Sequence, residues 1–526
     1  MRNTAQLAQK GGTLSRFFSS RLVLTILASG CILLLGFVLG TLNVAYSVVI
    51  AGFFIMLMIF LLKLDELTVV LIVAVHIFID SYLAFDVYQV ALLLMLTFFA
   101  IRYFGRSTDR LWSTPRATAL WFSFLLLNIY ATIEGGDFNL RNAFSFYLNI
   151  ILSPFLLYWL GNMVAKDISS LRHAFRWIAI LATFMAVHTI IEATTGQFLF
   201  EVTRSGAAAS ANSTFQIPGS SLLRADSFLG NPDANGLMLS TSFALPLGLF
   251  LESRQLWKKI IYLLEALLIL LALLFTYSTG AWTAVGIGML IFLFLTGKKR
   301  YAVLLLVVVL LVIGISFVLL PSHIEAFLSH SSSDGHLSLH MADWQTALRV
   351  IEAYPLFGVG LGNQAYLIRA EPYRVPEQYI PLAEPDNSFV QWGATSGIPT
   401  MLVFVALLIV VIWYAWRNWQ AIDVCYRPLV AGGMIALIVL SVGSLSTDGW
   451  TDSAAMGYLG WLIAGLVSST FIGRDLKRQQ LDAVALTNFP ASQSRAFGTT
   501  LDSIEMAETV QVTSVSPEAS QKGRTE

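Results

Sequence analysis

Residues 301–320 read YAVLLLVVVLLVIGISFVLL, and a proline follows at 321. An uncharged apolar run of this length is what a helix needs to cross the hydrocarbon of a bilayer. A polar break occupies residues 321–387, and a second long apolar run begins at Ser388. Similar runs recur along the rest of the chain. The chain is 56% hydrophobic and only 12% charged, with mean hydropathy +0.71. A soluble globular chain carries about 25% charged residues. The fold class predicted is therefore all-α: a polytopic integral membrane protein with about fourteen transmembrane helices. The expected spans are 22–42, 44–62, 67–83, 87–104, 117–133, 143–161, 173–195, 234–252, 258–276, 279–296, 301–320, 388–416, 428–447 and 453–472.

Loop charge supports this count and gives it a direction. One set of alternate loops holds most of the basic residues, including Arg16, Arg21, Lys63, Arg102, Arg106, Arg110, Arg116, Lys166, Arg172, Lys258, Lys259, Lys298, Lys299, Arg417, Arg427 and Arg474. The other set holds Arg141, Arg204, Arg224, Arg349, Arg369 and Arg374. Basic loops stay in the cytoplasm, so both termini are expected there. The expected organisation is a cytoplasmic segment over 1–21, a transmembrane domain over 22–472, and a disordered cytoplasmic tail over 473–526. Two large loops then face outward, about 196–233 and 321–387. The formal net charge is zero, so no nucleic-acid partner is expected. Cys31 and Cys425 lie in or beside apolar runs and form no metal or redox spacing.

The second outward loop has helical spacing. Leu337, Met341, Trp344, Leu348 and Ile351 recur at steps of three or four, which predicts an amphipathic helix lying on the membrane surface. His336, His340 and Asp343 share a neighbouring face. Two imidazoles one turn apart can share a metal, but a solvated helix face explains the spacing as well, and no metal site is assigned. Gly358, Gly360 and Gly362 then alternate, which permits close approach of backbone to a ligand or to another element. The first outward loop ends in Arg224, Asn231-Pro232-Asp233 and Gly236. Asn-Pro-Asp is turn and cap chemistry, and a helix starting there points free N–H groups and its positive end outward. Asp386-Asn387 can likewise be read as a cap for the run at Ser388.

Four stretches together resemble the O-antigen ligase and polysaccharide polymerase superfamily of bacterial envelopes. They are Arg224 to Gly236, Tyr277 to Trp282, Trp344 to Gly362, and Asp386-Asn387 followed by Gly397 and Thr400. The resemblance covers about residues 200–420. The chain departs from the family pattern at Thr279, where relatives have arginine, and at Asp386, where ligases have histidine. The second departure favours a polymerase over a ligase.

The resemblance implies a metal-independent, inverting glycosyltransferase of the bacterial inner membrane that uses no cofactor. Its substrate would be a polyprenyl-diphosphate-linked oligosaccharide, and a chain-length regulator and export machinery would be partners. A base must take a proton from the acceptor hydroxyl, and cations must steady the diphosphate as it leaves. Candidate catalytic residues are Asp386, Arg224, His340 and His336. Candidate substrate-binding residues are Asn387, Arg349, Arg141, Arg204, Asn231, Gly358 and Gly360. An O-antigen-type ligase and a secondary transporter are the competing readings. The latter would rely on the sparse intramembrane charges His76, Asp80, His188, Glu192 and Glu265.

Overall fold

A computed structural model describes residues 65–79, 115–196, 223–297, 314, 334–378, 385–451, 454–470 and 472. The chain divides at Gly473 into two compact units, and all of these residues belong to the first. Among the described residues the structure is helical, with no β-strand. The principal helices are α1 (Asp65–Ile79), α2 (Thr118–Phe146), α3 (Ser153–Val164), α4 (Ile168–Thr195), α5 (Pro232–Glu252), α6 (Leu256–Thr276) and α7 (Thr279–Thr296). They continue with α8 (Asp334–Ala353), α9 (Asn363–Ala370), α10 (Ser388–Ser396), α11 (Ile398–Ala421), α12 (Arg427–Gly443) and α13 (Ala454–Val467).

Seven helical stretches among the described residues are long and apolar enough to cross a membrane, which makes this a multi-pass membrane protein. Arg427–Gly443 and Met456–Val467 are shorter apolar helices at two further expected spans. The expected spans 22–42, 44–62 and 87–104 lie outside the described residues, as do 301–320 apart from residue 314, 1–21 and 473–526. Two expected boundaries change. The loop expected after residue 133 is helical, because α2 runs on to Phe146 and only Asn139 leaves helical geometry, at φ −161° and ψ 94°. A π-helical turn, Tyr147–Leu152, then leads into α3. The expected span 388–416 is two helices, because Gly397 at φ 87° separates α10 from α11. Such a φ suits glycine, and Pro399 sits in the first turn after it, where its missing N–H costs nothing.

The bundle is organised around α5, which is buried along most of its length. Small residues make this possible. A Cβ on Gly432 of α12 would come within 2.8 Å of Ala244 O, and one on Gly248 within 2.8 Å of Pro428 O. Close backbone approach of this kind gives van der Waals attraction where lipid supplies no hydrophobic drive between helices. Gly161 and Gly465 play the same part between α3 and α13. Trp121, Trp392, Phe404, Trp450 and Trp461 form a buried aromatic cluster that ties α2, α10, α11 and α13 together.

The two ends of the bundle differ. At one, Lys166 meets Asp65 at 2.8 Å, Arg172 meets Glu252 at 2.5 Å, and Arg116 donates to Asn418 Oδ1 at 2.9 Å. These basic residues come from loops that the sequence assigns to one side. At the other end, α4 finishes, α5 starts, and the short turn from α6 to α7 passes. A Gly432→Leu variant is expected to lose about 3 kcal/mol by overpacking the contact between α5 and α12. Thermal unfolding of the detergent-solubilised protein checks this, and an unchanged midpoint would mean that the two helices can move apart freely.

Candidate active site

Arg224 lies just before α5, in a loop fixed by three helices. Its Nη2 donates to Asp233 Oδ1 at 2.8 Å, and its Nε donates to Thr276 O at 3.2 Å. The neighbouring Ala225 donates its N–H to Phe275 O at 3.0 Å and accepts from Asn235 Nδ2 at 3.1 Å. Glu192 of α4 accepts the backbone N–H groups of Asp226 and Ser227, at 3.2 and 2.8 Å. His188 Nδ1 lies 3.0 Å from Ser227 Oγ. Ser227 has φ 51°, a left-handed conformation that costs energy for a residue with a Cβ. The buried Glu192 carboxylate offsets that cost, so the Arg224 loop keeps one shape. Arg224 keeps only 11% of its side-chain surface exposed.

Asn231 caps α5, its Oδ1 accepting from the N–H groups of Asp233 at 2.8 Å and Ala234 at 3.4 Å. The capping reading of Asn-Pro-Asp therefore holds, and it leaves Asp233 in the first turn, aimed at Arg224. Asn387 does the same for α10, accepting from Phe389 N at 3.0 Å and Val390 N at 3.2 Å. Its Nδ2 donates to Leu445 O at 2.9 Å. Asn387 is 4% exposed and all three bonds go to protein. It anchors the segment beside it.

That segment carries Asp386, whose backbone N–H donates to Asp343 Oδ2 at 2.8 Å. Gln378 Nε2 donates to Asp343 Oδ1 at 3.2 Å, and Thr346 Oγ1 donates to Gln378 Oε1 at 2.5 Å. The Asp386 side chain is 41% exposed, and its Oδ2 stands 3.3 Å from His340 Nδ1. His340 and Asp386, far apart in sequence, thus form a carboxylate–imidazole pair. Burial lowers the His340 pKa, but the hydrogen bond and charge of Asp386, with the charges of Asp233 and Asp343, outweigh it and raise the pKa above its ordinary value. Asp233 links this pair electrostatically to the Arg224 loop. Burial also pushes the Asp343 carboxyl up to about 7, against the Asp386 N–H, the His340 charge and the Gln378 amide.

The remaining sequence candidates fall elsewhere. Arg349 is exposed on α8, nine residues and two and a half turns beyond His340, and so on the opposite side. Arg141 is exposed near the C-terminal end of α2. His336 lies on α8, but its side chain lies outside the described residues, as does all of Arg204. Gly358 and Gly360 serve close packing. Their N–H groups donate to Tyr354 O at 3.1 Å and Thr395 O at 2.9 Å, and the intervening Val359 N–H donates to Ala394 O at 2.9 Å. A Cβ on Gly360 would meet Gly135 N at 2.5 Å. These glycines spend their N–H groups on protein carbonyls. The stripe predicted on α8 is buried in the protein only at Ile351 among the described side chains. Ala342, Asp343, Thr346, Ala347 and Val350 are buried, while Met341 and Leu348 are exposed.

Asp233 and Glu192 are the participants whose roles sequence reasoning missed. Asp233 was legible as turn chemistry, and Glu192 as a charge inside a span, but nothing local linked either to Arg224.

The structure thus defines a multi-pass membrane protein with an arginine and a carboxylate–imidazole pair gathered at one end of its helices. Residues 264–405 match the model of the O-antigen ligase family. The matched stretch holds His340, Asp343, Asp386 and Asn387 and stops short of Arg224 and Asp233. It supports the resemblance to the O-antigen ligase and polymerase superfamily and, generally, a membrane glycosyltransferase-like activity. No curated protein matches the chain in sequence.

Both shifted groups hold protons more tightly folded than unfolded. The Asp343 contribution is full below its unfolded value of 3.8 and is lost as pH rises through about 7. That of His340 is full below 6.5 and is lost as pH rises through its raised value. Thermal stability is therefore expected to fall as pH rises from 3.8 to about 7 through Asp343, with His340 extending the fall above 6.5. Asp343→Asn should flatten that slope in thermal scans across the range, and an unchanged slope would remove Asp343 as its source.

Proposed function

We propose that the protein is a polymerase of surface polysaccharide, exopolysaccharide or O-antigen, acting at the outer face of the bacterial inner membrane. It transfers glycan from polyprenyl diphosphate to a sugar hydroxyl. The observation that carries this reading is the pairing of His340 with the exposed Asp386 at 3.3 Å, with Asp233 of the Arg224 loop acting on the same imidazole. Family ligases have histidine at the position of Asp386. Here a carboxylate stands at that position in the sequence, and His340 of α8 lies 3.3 Å from it.

In the proposed reaction the acceptor hydroxyl attacks the anomeric carbon as its proton passes to the Asp386–His340 pair. The bond from that carbon to the diphosphate oxygen breaks, and polyprenyl diphosphate leaves with the electron pair. Attack opposite the leaving group inverts the anomeric carbon. Arg224 steadies the growing phosphate charge, since a guanidinium stays charged and its fork matches phosphate oxygens. Binding there has to compete with Asp233, which already holds Nη2. With Arg224 carrying that charge, the proposed reaction is metal-independent. Loops rich in arginine and lysine lie at the opposite end, which supports cytoplasmic termini and an outward site.

The family match favours one second reading, an O-antigen-type ligase that joins finished glycan to a lipid or protein acceptor. Lipid-linked glycans from a deletion strain separate the two. Single repeat units building up on the lipid, with polymer lost, support the polymerase. Long chains stranded on the lipid support the ligase, and an unchanged profile sinks both. Complementation with Arg224→Ala, Asp386→Ala or His340→Ala is expected to lower polymer output by about 100-fold or more. Wild-type output from Asp386→Ala would remove that residue from the chemistry.

A further inference from the structure

A second feature of the same end is an open cleft of about 410 Å³, lined in part by Tyr130, Glu134, Tyr354, Phe357 and Arg369. Its size falls in the range of small-molecule sites, about 300–1,000 Å³. None of these five side chains enters the reaction proposed above. Their arrangement is nonetheless built. Tyr130 Oη donates to Glu134 Oε1 at 2.8 Å. Arg369 Nη1 donates to Val359 O at 2.9 Å and to Glu134 Oε2 at 3.3 Å, and Asp137 lies 4.0 Å from its Nη2. The cleft thus combines one guanidinium, one carboxylate and a phenol in a connected row, with Asp137 beside the guanidinium but outside the lining.

The charge of that row selects against an anion. Arg369 is already paired with Glu134 at 3.3 Å and has Asp137 4.0 Å away, so a phosphate or carboxylate ligand would gain little from its charge. The rest of the lining is aromatic and open. Tyr130, Tyr354 and Phe357 are 40%, 37% and 45% exposed. The Tyr130 and Phe357 rings lie 4.3 Å apart between centroids, and Tyr354 packs edge-on against Tyr373. Flat apolar faces beside fixed donors and acceptors suit an uncharged polyhydroxy ring, with its C–H face on an aromatic and its hydroxyls on Glu134, Tyr130 and Arg369. Membrane proteins do expose tyrosines in an interfacial belt, but a belt has no need of a Glu–Arg pair set between its rings.

Position adds the second argument. α8 and α10 run side by side from the Asp386 cluster to the cleft. At one end His340 meets Asp386. Midway, a Cβ on Gly393 would touch Ile351 at 2.7 Å. At the far end Ile398 N donates to Pro355 O at 2.8 Å, and Val359 N to Ala394 O at 2.9 Å. α10 has nine residues, so the cleft stands about 13 Å along it from Asp386. We infer that the cleft is a subsite for an uncharged stretch of oligosaccharide, holding the glycan a few sugar units away from the reacting hydroxyl. The inference rests on the polymerase reading for its class of ligand and on the cleft alone for its place.

The test uses full-length protein in lipid nanodiscs, titrated calorimetrically with oligosaccharides released by mild acid from the producing strain's own surface polysaccharide. Turnover of lipid-linked donor is measured in parallel. Wild-type protein should bind, and Tyr130→Ala and Tyr354→Ala should each weaken binding about tenfold without lowering the unfolding midpoint. Phe357→Leu replaces either variant that unfolds early. With turnover intact, the same variants should raise KM for long acceptors and leave the shortest acceptor unaffected. Unchanged affinity in the variants, or no binding by wild type, overturns the subsite. Cleft-dependent binding without any turnover keeps the subsite and removes the polymerase, whereas turnover indifferent to the cleft does the reverse.

Discussion

A backbone N–H or C=O that enters a bilayer must find its partner within the protein, and this constraint governs the structure. Helices meet it internally. Irregular backbone meets it only where a side chain or a neighbouring strand of chain supplies the missing partner. The segments before α5 and α10 break into the end of the bundle, and each is held by a buried carboxylate. Glu192 takes the N–H groups of Asp226 and Ser227, and Asp343 takes that of Asp386. The residues best suited to chemistry, Arg224 and Asp386, sit on those two segments. Non-helical backbone is thus confined to places where it is bonded, and there it presents side chains that a helix could not aim.

The same constraint explains why the site is polar beneath as well as at its surface. Leaving one of those N–H groups without a partner would cost roughly 1–3 kcal/mol. An apolar residue at 192 or 343 would therefore loosen the loop before it altered any reacting group. Burying a carboxylate has its own cost, visible in the raised pKa of Asp343. The protein tolerates it because the bonds to Asp386 and Gln378 come with it. The dependence of stability on pH follows from this trade.

Glycines do comparable work by a different route. Gly248 with Gly432, and Gly161 with Gly465, let helix backbones approach closely. Gly358 and Gly360 let a loop lie directly on Thr395 and Gly135. That loop joins α8 to α9 and carries Phe357 into the cleft, while the N–H groups of Gly358, Val359, Gly360 and Leu361 are engaged with protein. The glycines take the packing here, and the proposed subsite falls to the adjacent aromatics.

Apolar runs, charge asymmetry and cap signals determined the class of this protein, because they act locally or through the bilayer, which every span meets alone. The helices at 118–137, 168–195 and 232–252 were legible for that reason, as were the caps at Asn231 and the Asp386-Asn387 turn. What the sequence could not carry was proximity between distant residues. His340 meets Asp386, and Glu192 meets Ser227, only because several helices pack together at once. The same packing turned Gly358 and Gly360 into spacers, carried Arg349 to the exposed side of α8, and set Ala342, Thr346 and Ala347 against the core together with Ile351, leaving Met341 and Leu348 exposed. Helical period names the faces that a helix offers. Which face is used depends on its neighbours, and those are decided by tertiary packing.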